Sequence, residues 1–156
     1  PDLLVTGDAE LTAVRLDNDH VGFSTLRRGK FTRDTWLAMM SEPEAVAWPQ
    51  SGKGDPAAGL RCDSLGCLYR PPDAGEASIA IEFGVAALAD DCGKVDFIVS
   101  LVPVRRDCST TWGVVDRFDL WRYGTHAITF TPEGPAIETV AQERGERPWA
   151  PAVDRE

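Results

Sequence analysis

The sequence contains little histidine and no long apolar run. Histidine occurs only twice, at His20 and His126, and this number excludes a pair of metal ions held mainly by histidines. No stretch approaches the roughly 18 consecutive apolar residues that a membrane-spanning helix requires. The phosphate-binding patterns G-x-x-x-x-G-K-[ST] and G-x-G-x-x-G are missing, as is the nucleophile pattern G-x-S-x-G. The common nucleotide-binding and serine-hydrolase motifs are therefore not present.

Positive charge is scarce as well. The 156 residues include 16 lysines and arginines against 25 acidic residues, which gives a formal net charge of -9. Broad, sequence-independent binding to nucleic acid depends on cations that displace phosphate counterions. We therefore do not expect the molecule as a whole to be drawn to nucleic acid, although local clusters of basic residues can still contact a backbone.

The larger of two basic clusters lies near residue 30 and is interleaved with aromatic residues. Cations beside aromatic stacking platforms are typical of surfaces that hold a single nucleic-acid strand. The cluster is the candidate for such a contact, and a solvated loop is the alternative. Its members are Arg27, Arg28, Lys30 and Arg33, with Phe31 and Trp36 among them, and the second cluster is Arg105-Arg106.

Composition and length indicate one folded unit. Apolar residues make up 43% of the chain, which is enough for a core, and the length suits a single domain. We expect an α+β domain over residues 1–141 and a polar tail over 142–156. The chain begins at Pro1, with neither an initiator methionine nor a signal-peptide pattern, so we expect a segment of a longer protein.

The first part of the sequence predicts an antiparallel β-meander. Residues 3–6 and 11–16 flank a Gly7-Asp8 turn, and residues 20–26 alternate apolar with small or polar side chains after a second polar turn. This alternation is typical of half-buried antiparallel strands. We therefore expect three consecutive strands.

A helix is predicted to follow the meander. Thr32 is a suitable N-cap for a helix over residues 33–40. Phe31 and Trp36 have the spacing of a hydrophobic staple, in which a residue before the cap packs on one inside the first turns. The apolar face of this helix is expected to include Trp36.

The next segment changes composition twice. Residues 41–59 are rich in Pro, Gly, Ser and charge, which favours a long surface loop with Trp48 as an anchor. Residues 60–70 predict two short strands around a tight turn, because Asp, Ser and Gly occupy its centre. Cys62 and Cys67 then lie on opposite arms, close enough for a bond.

The most regular unit of the sequence is a strand, a helix and a strand. We expect them at residues 78–83, 84–92 and 95–102, as a small right-handed βαβ unit. The apolar run at 97–99 is typical of a strand covered on both faces. The elements expected after it are a strand at 112–116, a helix at 117–123 that ends at Gly124, and a terminal hairpin at 125–138.

Four cysteines leave three alternatives open. Their positions, 62, 67, 92 and 108, give one close pair and one distant pair. Zinc sites usually repeat a close pair or add histidine, so zinc is the least favoured alternative. Two disulfides are favoured over buried free thiols because the number of cysteines is even.

One short motif suggests metal chemistry. Asp17-Asn18-Asp19-His20 is similar to the end of the H-x-H-x-D-H run that binds metal in metallo-β-lactamase-like hydrolases. The first histidines of that run are missing, since Arg15 and Leu16 stand directly before it. Two acidic residues and one histidine do not make the two metal pockets of those enzymes. We predict a polar hairpin turn here.

The other candidates for acid-base chemistry have simpler interpretations. Asp90-Asp91 and the pair Asp116 and Asp119 are expected to be solvated or paired with a neighbouring arginine. His126 lies in an alternating strand and is expected to be structural. The sequence therefore assigns no catalytic residue, no metal ligand and no cofactor.

Seven short sequence segments, called phrases below, are spread over nearly the whole chain and are specific when taken together. In this order they resemble the C-terminal region of alphaproteobacterial ComEC/Rec2 proteins. They are residues 1–8, 31–37, 61–67, 89–92, 96–100, 114–128 and 144–149.

This resemblance implies a location and a set of partners. ComEC/Rec2 proteins form the inner-membrane channel that passes one strand of incoming DNA during natural transformation, and the terminal region lies on the periplasmic side. An oxidising compartment suits disulfides, and the implied pairs are Cys62–Cys67 and Cys92–Cys108. The implied partners are the rest of the channel protein, single-stranded DNA and other competence proteins, with no direct insertion of this segment into the membrane.

Many members of the family end in a metallo-β-lactamase-like domain that is proposed to degrade the strand left outside. The metal-binding histidines of that domain are missing here, so the resemblance implies a shortened and degenerate αββα sandwich, and the nuclease role is not carried over. The leading hypothesis is a non-enzymatic accessory domain. The alternatives are a hydrolase with a carboxylate metal site around Asp17 and Asp19 or Asp116 and Asp119, and a protein-interaction module without a DNA role.

Overall fold

Short strands separated by turns form two mixed sheets in this chain. The structure is a computed structural model that describes residues 1–16, 19–49 and 59–145. Within these ranges it has α+β architecture, with four helices. The first sheet has six strands, namely β1 (Leu3–Val5), β2 (Thr12–Arg15), β3 (Val21–Phe23), β4 (Ala45–Ala47), β10 (His126–Thr131) and β11 (Gly134–Thr139).

The six-stranded sheet joins the two ends of the described chain. Its order is β11-β10-β1-β2-β3-β4, and all neighbours are antiparallel except β3 and β4. The predicted meander is therefore present as β1 to β3. The predicted terminal hairpin is present as β10 and β11, and it adds to β1 at one side of the meander.

The five-stranded sheet is formed by the middle of the chain. Its order is β5-β6-β7-β8-β9, with antiparallel pairing up to β7 and parallel pairing from β7 to β9. The parallel part requires crossovers, and a short helix lies between β7 and β8 as the βαβ pattern predicts. Its strands are β5 (Leu60–Cys62), β6 (Gly66–Tyr69), β7 (Ile79–Glu82), β8 (Phe97–Ser100) and β9 (Val114–Val115).

The apolar residues fall into three clusters that define the layers. The largest cluster lies between the sheets, because it combines residues of β1 and β2 with residues of β6, β7 and β8. The second packs the outer face of the six-stranded sheet against α1 (Lys30–Met39). The third packs the outer face of the five-stranded sheet against α2 (Leu88–Asp91). The order of layers is thus helix, sheet, sheet, helix. The other two helices are α3 (Arg117–Tyr123) and α4 (Val140–Arg144).

None of the helices in the described ranges is both long enough and apolar enough to cross a membrane.

Several predicted elements differ from the structure. The first helix begins at Lys30 rather than residue 33, because Gly29 takes a left-handed conformation (φ 67°) and serves as N-cap. The predicted staple is wrong, since the Phe31 side chain is 85% exposed. The second predicted helix, over residues 84–92, shrinks to the four residues of α2, and Val85 before it is exposed.

The predicted loop at 41–59 contains a strand. β4 pairs in parallel with β3, and the Trp48 indole then donates a hydrogen bond to the Gly22 carbonyl at 2.8 Å. Trp48 is therefore an anchor, as predicted. Residues 50–58 of that loop lie outside the described residues, as do residues 146–156 of the predicted tail. Helix α4 spans the expected boundary at residue 141.

Two disulfide bonds are present, with the pairing that the resemblance implied. Cys62 and Cys67 are direct partners on β5 and β6, with their Cα atoms 4.0 Å apart. Cys92 at the end of α2 is bonded to Cys108 in the segment between β8 and β9, with a Cα distance of 5.1 Å. The first bond lies in the core between the sheets, and the second fastens α2 to the outer face.

A buried polar cluster connects the two sheets. The Asp2 side chain, directly before β1, is 2% exposed and accepts hydrogen bonds from the Arg15 guanidinium (2.7 Å) and the Phe130 amide (2.7 Å). Tyr69 of β6 is fully buried and donates to the Arg15 carbonyl at 2.6 Å. Arg15 also donates to Asp73 at 2.6 Å, in the connection between β6 and β7. Bonds to Asp73 and Asp2 raise the pKa of Arg15, so the guanidinium stays charged.

We predict that Asp2→Ala lowers the free energy of unfolding by about 3 kcal/mol, because it removes the buried carboxylate of an ion pair and leaves the Phe130 amide unpaired. Urea denaturation measures this loss. Asp73→Ala is the matched control. It removes a partner of the same arginine, but the Asp73 side chain is 72% exposed, so the expected loss is about 1 kcal/mol or less. Equal losses in the two variants would contradict this account.

Candidate functional site

The larger basic cluster forms an exposed surface where α1 begins. Arg27, Arg28 and Lys30 are exposed, in the loop before the helix and at its first residue. Arg33 is half-buried, and its guanidinium donates to the carbonyls of Leu26 (3.0 Å) and Arg28 (3.4 Å). Arg33 therefore holds the loop in place, and the other three cations face solvent.

The two aromatic residues of this cluster have different roles. Phe31 is highly exposed next to Lys30 and offers a face for stacking. Trp36 is 6% exposed and stacks on Phe23 of β3, with ring centroids 6.4 Å apart. The prediction that Trp36 contributes to a stacking surface is therefore wrong, because its ring covers the six-stranded sheet.

The remaining charges near this surface are mixed. Lys30 pairs with Asp34 one turn along α1, and this bond lowers the pKa of the Asp34 carboxyl. The second basic cluster lies elsewhere in the fold, since the Arg105 guanidinium sits 5.8 Å from the centre of the Phe118 ring on α3. The exposed surface of Arg27, Arg28, Lys30 and Phe31 is called the basic surface below.

The acidic pair on α3 has a structural role. Asp116 accepts from the amides of Phe118 (3.0 Å) and Asp119 (3.2 Å), and Asp119 accepts from the Asp116 amide (3.0 Å). These reciprocal bonds form a capping box at the start of the helix. The neighbouring Arg117 donates to the Gly7 carbonyl at 2.8 Å. Burial raises the pKa of Asp119, and the Asp116 carboxylate adds to the rise.

His126 is buried at the start of β10. His126 is only 3% exposed, and its Nδ1 lies 2.8 Å from the Gly124 carbonyl oxygen. Burial lowers the pKa of the imidazole. The ring packs edge-on against Tyr123, with centroids 6.5 Å apart. These contacts fasten the end of α3 to β10.

The D-N-D-H motif lies at the turn between β2 and β3. Asp17 and Asn18 are outside the described residues. Asp19 has a left-handed conformation (φ 62°), and the His20 carbonyl accepts from the Leu16 amide at 2.8 Å, which closes the turn. His20 Nδ1 lies 3.8 Å from a carboxylate oxygen of Glu42. The described part of the motif therefore has the geometry of a hairpin turn.

Sequence reasoning missed the most unusual carboxyl group of the structure. Glu82 at the end of β7 is 1% exposed, and no N–H or hydroxyl group of the described residues donates a hydrogen bond to its oxygens. Burial, a side-chain hydrogen bond with Asp91 and the charges of Asp91 and Asp63 raise the pKa of Glu82 to about 8. The sequence feature that could have indicated its burial is the acidic residue at the end of the apolar strand I-A-I-E.

A groove lies beside Glu82 on the outer face of the five-stranded sheet. Its volume is about 450 Å³. Asp90 and Asp91, which were expected to be solvated or paired with a neighbouring arginine, line it from α2, and the turn between β5 and β6 supplies Asp63. We call it the acidic groove, and the lining residues used below are Arg61, Asp63, Leu65, Leu68, Asp90 and Asp91.

Among the described residues, no three or more histidine, cysteine, aspartate or glutamate side chains are arranged to hold a metal ion. Comparisons with models of protein families, with curated proteins and with solved structures each find no match to this chain. The geometry thus offers two surfaces for contact, the basic surface and the acidic groove.

We predict that Glu82→Gln changes the pH dependence of stability. A carboxyl whose pKa rises from 4.5 to about 8 on folding stays protonated in the folded state and ionises in the unfolded state. The free energy of unfolding of the wild type therefore falls as pH rises between these values. Glutamine does not titrate, so the variant should gain on the wild type over this window, by on the order of a few kcal/mol, since one pKa unit corresponds to about 1.4 kcal/mol.

Chemical denaturation across this pH range measures the difference. Glu133→Gln is the control, because it removes one carboxyl at an exposed position in the turn between β10 and β11. Its stability should follow the wild type at every pH. A Glu82→Gln variant with the same pH dependence as the wild type would show that Glu82 ionises normally in the folded chain.

Proposed function

We propose that this chain is a periplasmic accessory domain of a DNA-uptake channel protein of the ComEC/Rec2 type, and that it works by contact rather than by cleavage. In this proposal the domain helps to organise the channel, and it touches the incoming strand or another competence protein. The observation that carries the proposal is the ordered set of phrases that resemble that family, together with where they lie in the fold.

Several of these phrases lie in core strands or include residues that stabilise the fold. Residues 1–8 include Asp2 of the buried polar cluster and all of β1. Residues 61–67 carry the first disulfide, and residues 96–100 include the fully buried strand β8. Residues 114–128 comprise β9, the capped helix α3 and the start of β10. Similarity at core positions favours a shared fold with the family, which is a weaker basis for a shared activity.

The layer order supports a finer proposal about the fold. Helix, sheet, sheet and helix follow one another in this chain, with a core between the sheets. This is the order of the αββα sandwich of lactamase-like domains. We infer a shortened relative of that sandwich, in which the metal-binding histidines are replaced and the strands are kept.

One feature supports a periplasmic site of action, and another supports a contact with a DNA strand. Both disulfides lie within the described domain, and such bonds persist in oxidising compartments such as the periplasm. The basic surface supplies three exposed cations and one exposed aromatic ring in a chain of net charge -9. Its small size suits contact with a few nucleotides of a single strand that the channel already guides.

The test uses the bacterium that encodes this chain and the complete channel protein. We predict that deletion of residues 1–145 lowers the frequency of natural transformation to that of a strain without the channel protein. Arg27→Ala, Arg28→Ala and Lys30→Ala in combination should lower it partly, because only the basic surface is lost. Membrane levels of each variant are measured by immunoblot.

Arg105→Ala with Arg106→Ala is the matched control for charge, because these residues form the other basic cluster. This variant should transform at a higher frequency than the triple variant. Normal transformation by the deletion strain, at normal membrane levels of the truncated protein, would refute the proposed function. Normal transformation by the triple variant would leave a role in organising the channel and refute the DNA contact.

A further inference from the structure

The acidic groove has no role in the proposed DNA contact, yet Glu82, a buried carboxyl that accepts no hydrogen bond from a described N–H or hydroxyl group, lies beside it. Successive side chains of a strand point to opposite faces, and Ile79 and Ile81 lie in the core between the sheets. Glu82 therefore points to the outer face, where α2 and the groove lie. Its partner on β6 is Gly66, which lines the groove and has no side chain to cover Glu82.

The charges around Glu82 are mostly negative. Asp63 is contributed by the turn between β5 and β6, and Asp90 and Asp91 by α2. On β8, the partner of Glu82 is the uncharged Ser100, whose hydroxyl donates to the Val102 carbonyl. Arg61 is the cation of the groove, and no salt bridge joins it to these carboxylates within the described ranges. Three aspartates, with the protonated Glu82 beside them, face one guanidinium and leave a site that favours a further cation.

We propose that the acidic groove binds the arginine or lysine side chain of a polypeptide partner. Buried carboxyl groups normally have hydrogen-bond donors, and a guanidinium or ammonium group supplies several at once. A metal ion is a poorer occupant, since no three suitable ligands converge in the described part of the chain. This inference does not depend on the assignment to a DNA-uptake channel.

The walls of the groove favour a side chain of a polypeptide over a small free cation. Leu65 and Leu68 line it and are 42% and 37% exposed, and Ala87, the residue directly before α2, also lines it. Apolar walls beside carboxylates match the aliphatic stem and charged end of arginine or lysine. β5 is an edge strand in the described sheet, and edge strands accept an added peptide strand through backbone hydrogen bonds.

Binding should strengthen as pH rises. Burial and the carboxylates of Asp91 and Asp63 keep Glu82 protonated up to about pH 8, and a bound cation favours the ionised form. Arginine keeps its charge throughout this range. The same linkage predicts that a bound arginine lowers the pKa of Glu82.

The experiment titrates the whole chain with acetyl-Gly-Leu-Arg-Leu-Gly-amide and with the matched peptide that has Gln in place of Arg. Calorimetry gives the dissociation constant at about pH 6 and about pH 9, on either side of the Glu82 transition. Amide chemical shifts locate the site. Spermidine and magnesium chloride are titrated in parallel, as a free organic cation and a metal ion.

We expect the arginine peptide to bind, with shifts at residues 61–68 and 87–91, and the glutamine peptide not to bind. Affinity should rise on the order of tenfold between the two pH values, and Glu82→Gln should abolish this rise. Asp90→Asn with Asp91→Asn should weaken binding by at least about tenfold, and Glu133→Gln should leave it unchanged.

Three outcomes would overturn the proposal. The first is no binding of the arginine peptide at millimolar concentration, and the second is equal binding of the two peptides. The third is tighter binding of spermidine or magnesium than of the arginine peptide, which would identify a site for small cations. Glu82→Gln is expected to be folded at both pH values, so loss of its pH effect cannot be ascribed to unfolding.

Discussion

The structure depends on one ion pair, between the buried Asp2 and the partly exposed Arg15. Its oxygens and nitrogens lie at the ends of β1 and β2, reach the backbone of β10, and connect through Tyr69 and Asp73 to the other sheet. Such a pair is costly to desolvate. Hydrogen bonds offset this cost, because Asp2 also accepts from the Phe130 amide and Arg15 also donates to Asp73. Sequence-distant segments are thereby fixed in one register, and the apolar core closes around them.

This arrangement leaves the two outer faces to carry the surfaces for contact. On the six-stranded sheet, Trp36 is used to attach α1, so the start of that helix presents its cations and Phe31 to solvent. On the five-stranded sheet, α2 is only four residues long. Its shortness leaves the outer side of β5 and β6 uncovered, and the acidic groove lies there. The opposite charges of the two surfaces suit different partners.

Local signals predicted the elements that local interactions determine. Helix α3 begins and ends where the pattern indicated, because its capping box and Gly124 lie within the segment itself, and the strands with alternating or continuous apolar residues were also predicted. The start of α1 was missed because Gly29 caps it without a side-chain bond. β4 was missed because three small residues become a strand only by pairing with β3. Glu82 was missed for a similar reason, since its burial depends on how α2 and β6 pack around β7, which the residues next to Glu82 do not show.

The central claim is that this domain acts by contact and has no cleavage activity. A time course with labelled single- and double-stranded DNA tests it most directly, with manganese, magnesium or zinc added in turn and a chelator as control. The account predicts no cleavage above the chelated control with any metal. Metal-dependent cleavage that is lost in Asp17→Ala with Asp19→Ala, and kept in Glu133→Gln, would contradict the account and identify the turn between β2 and β3 as a catalytic site.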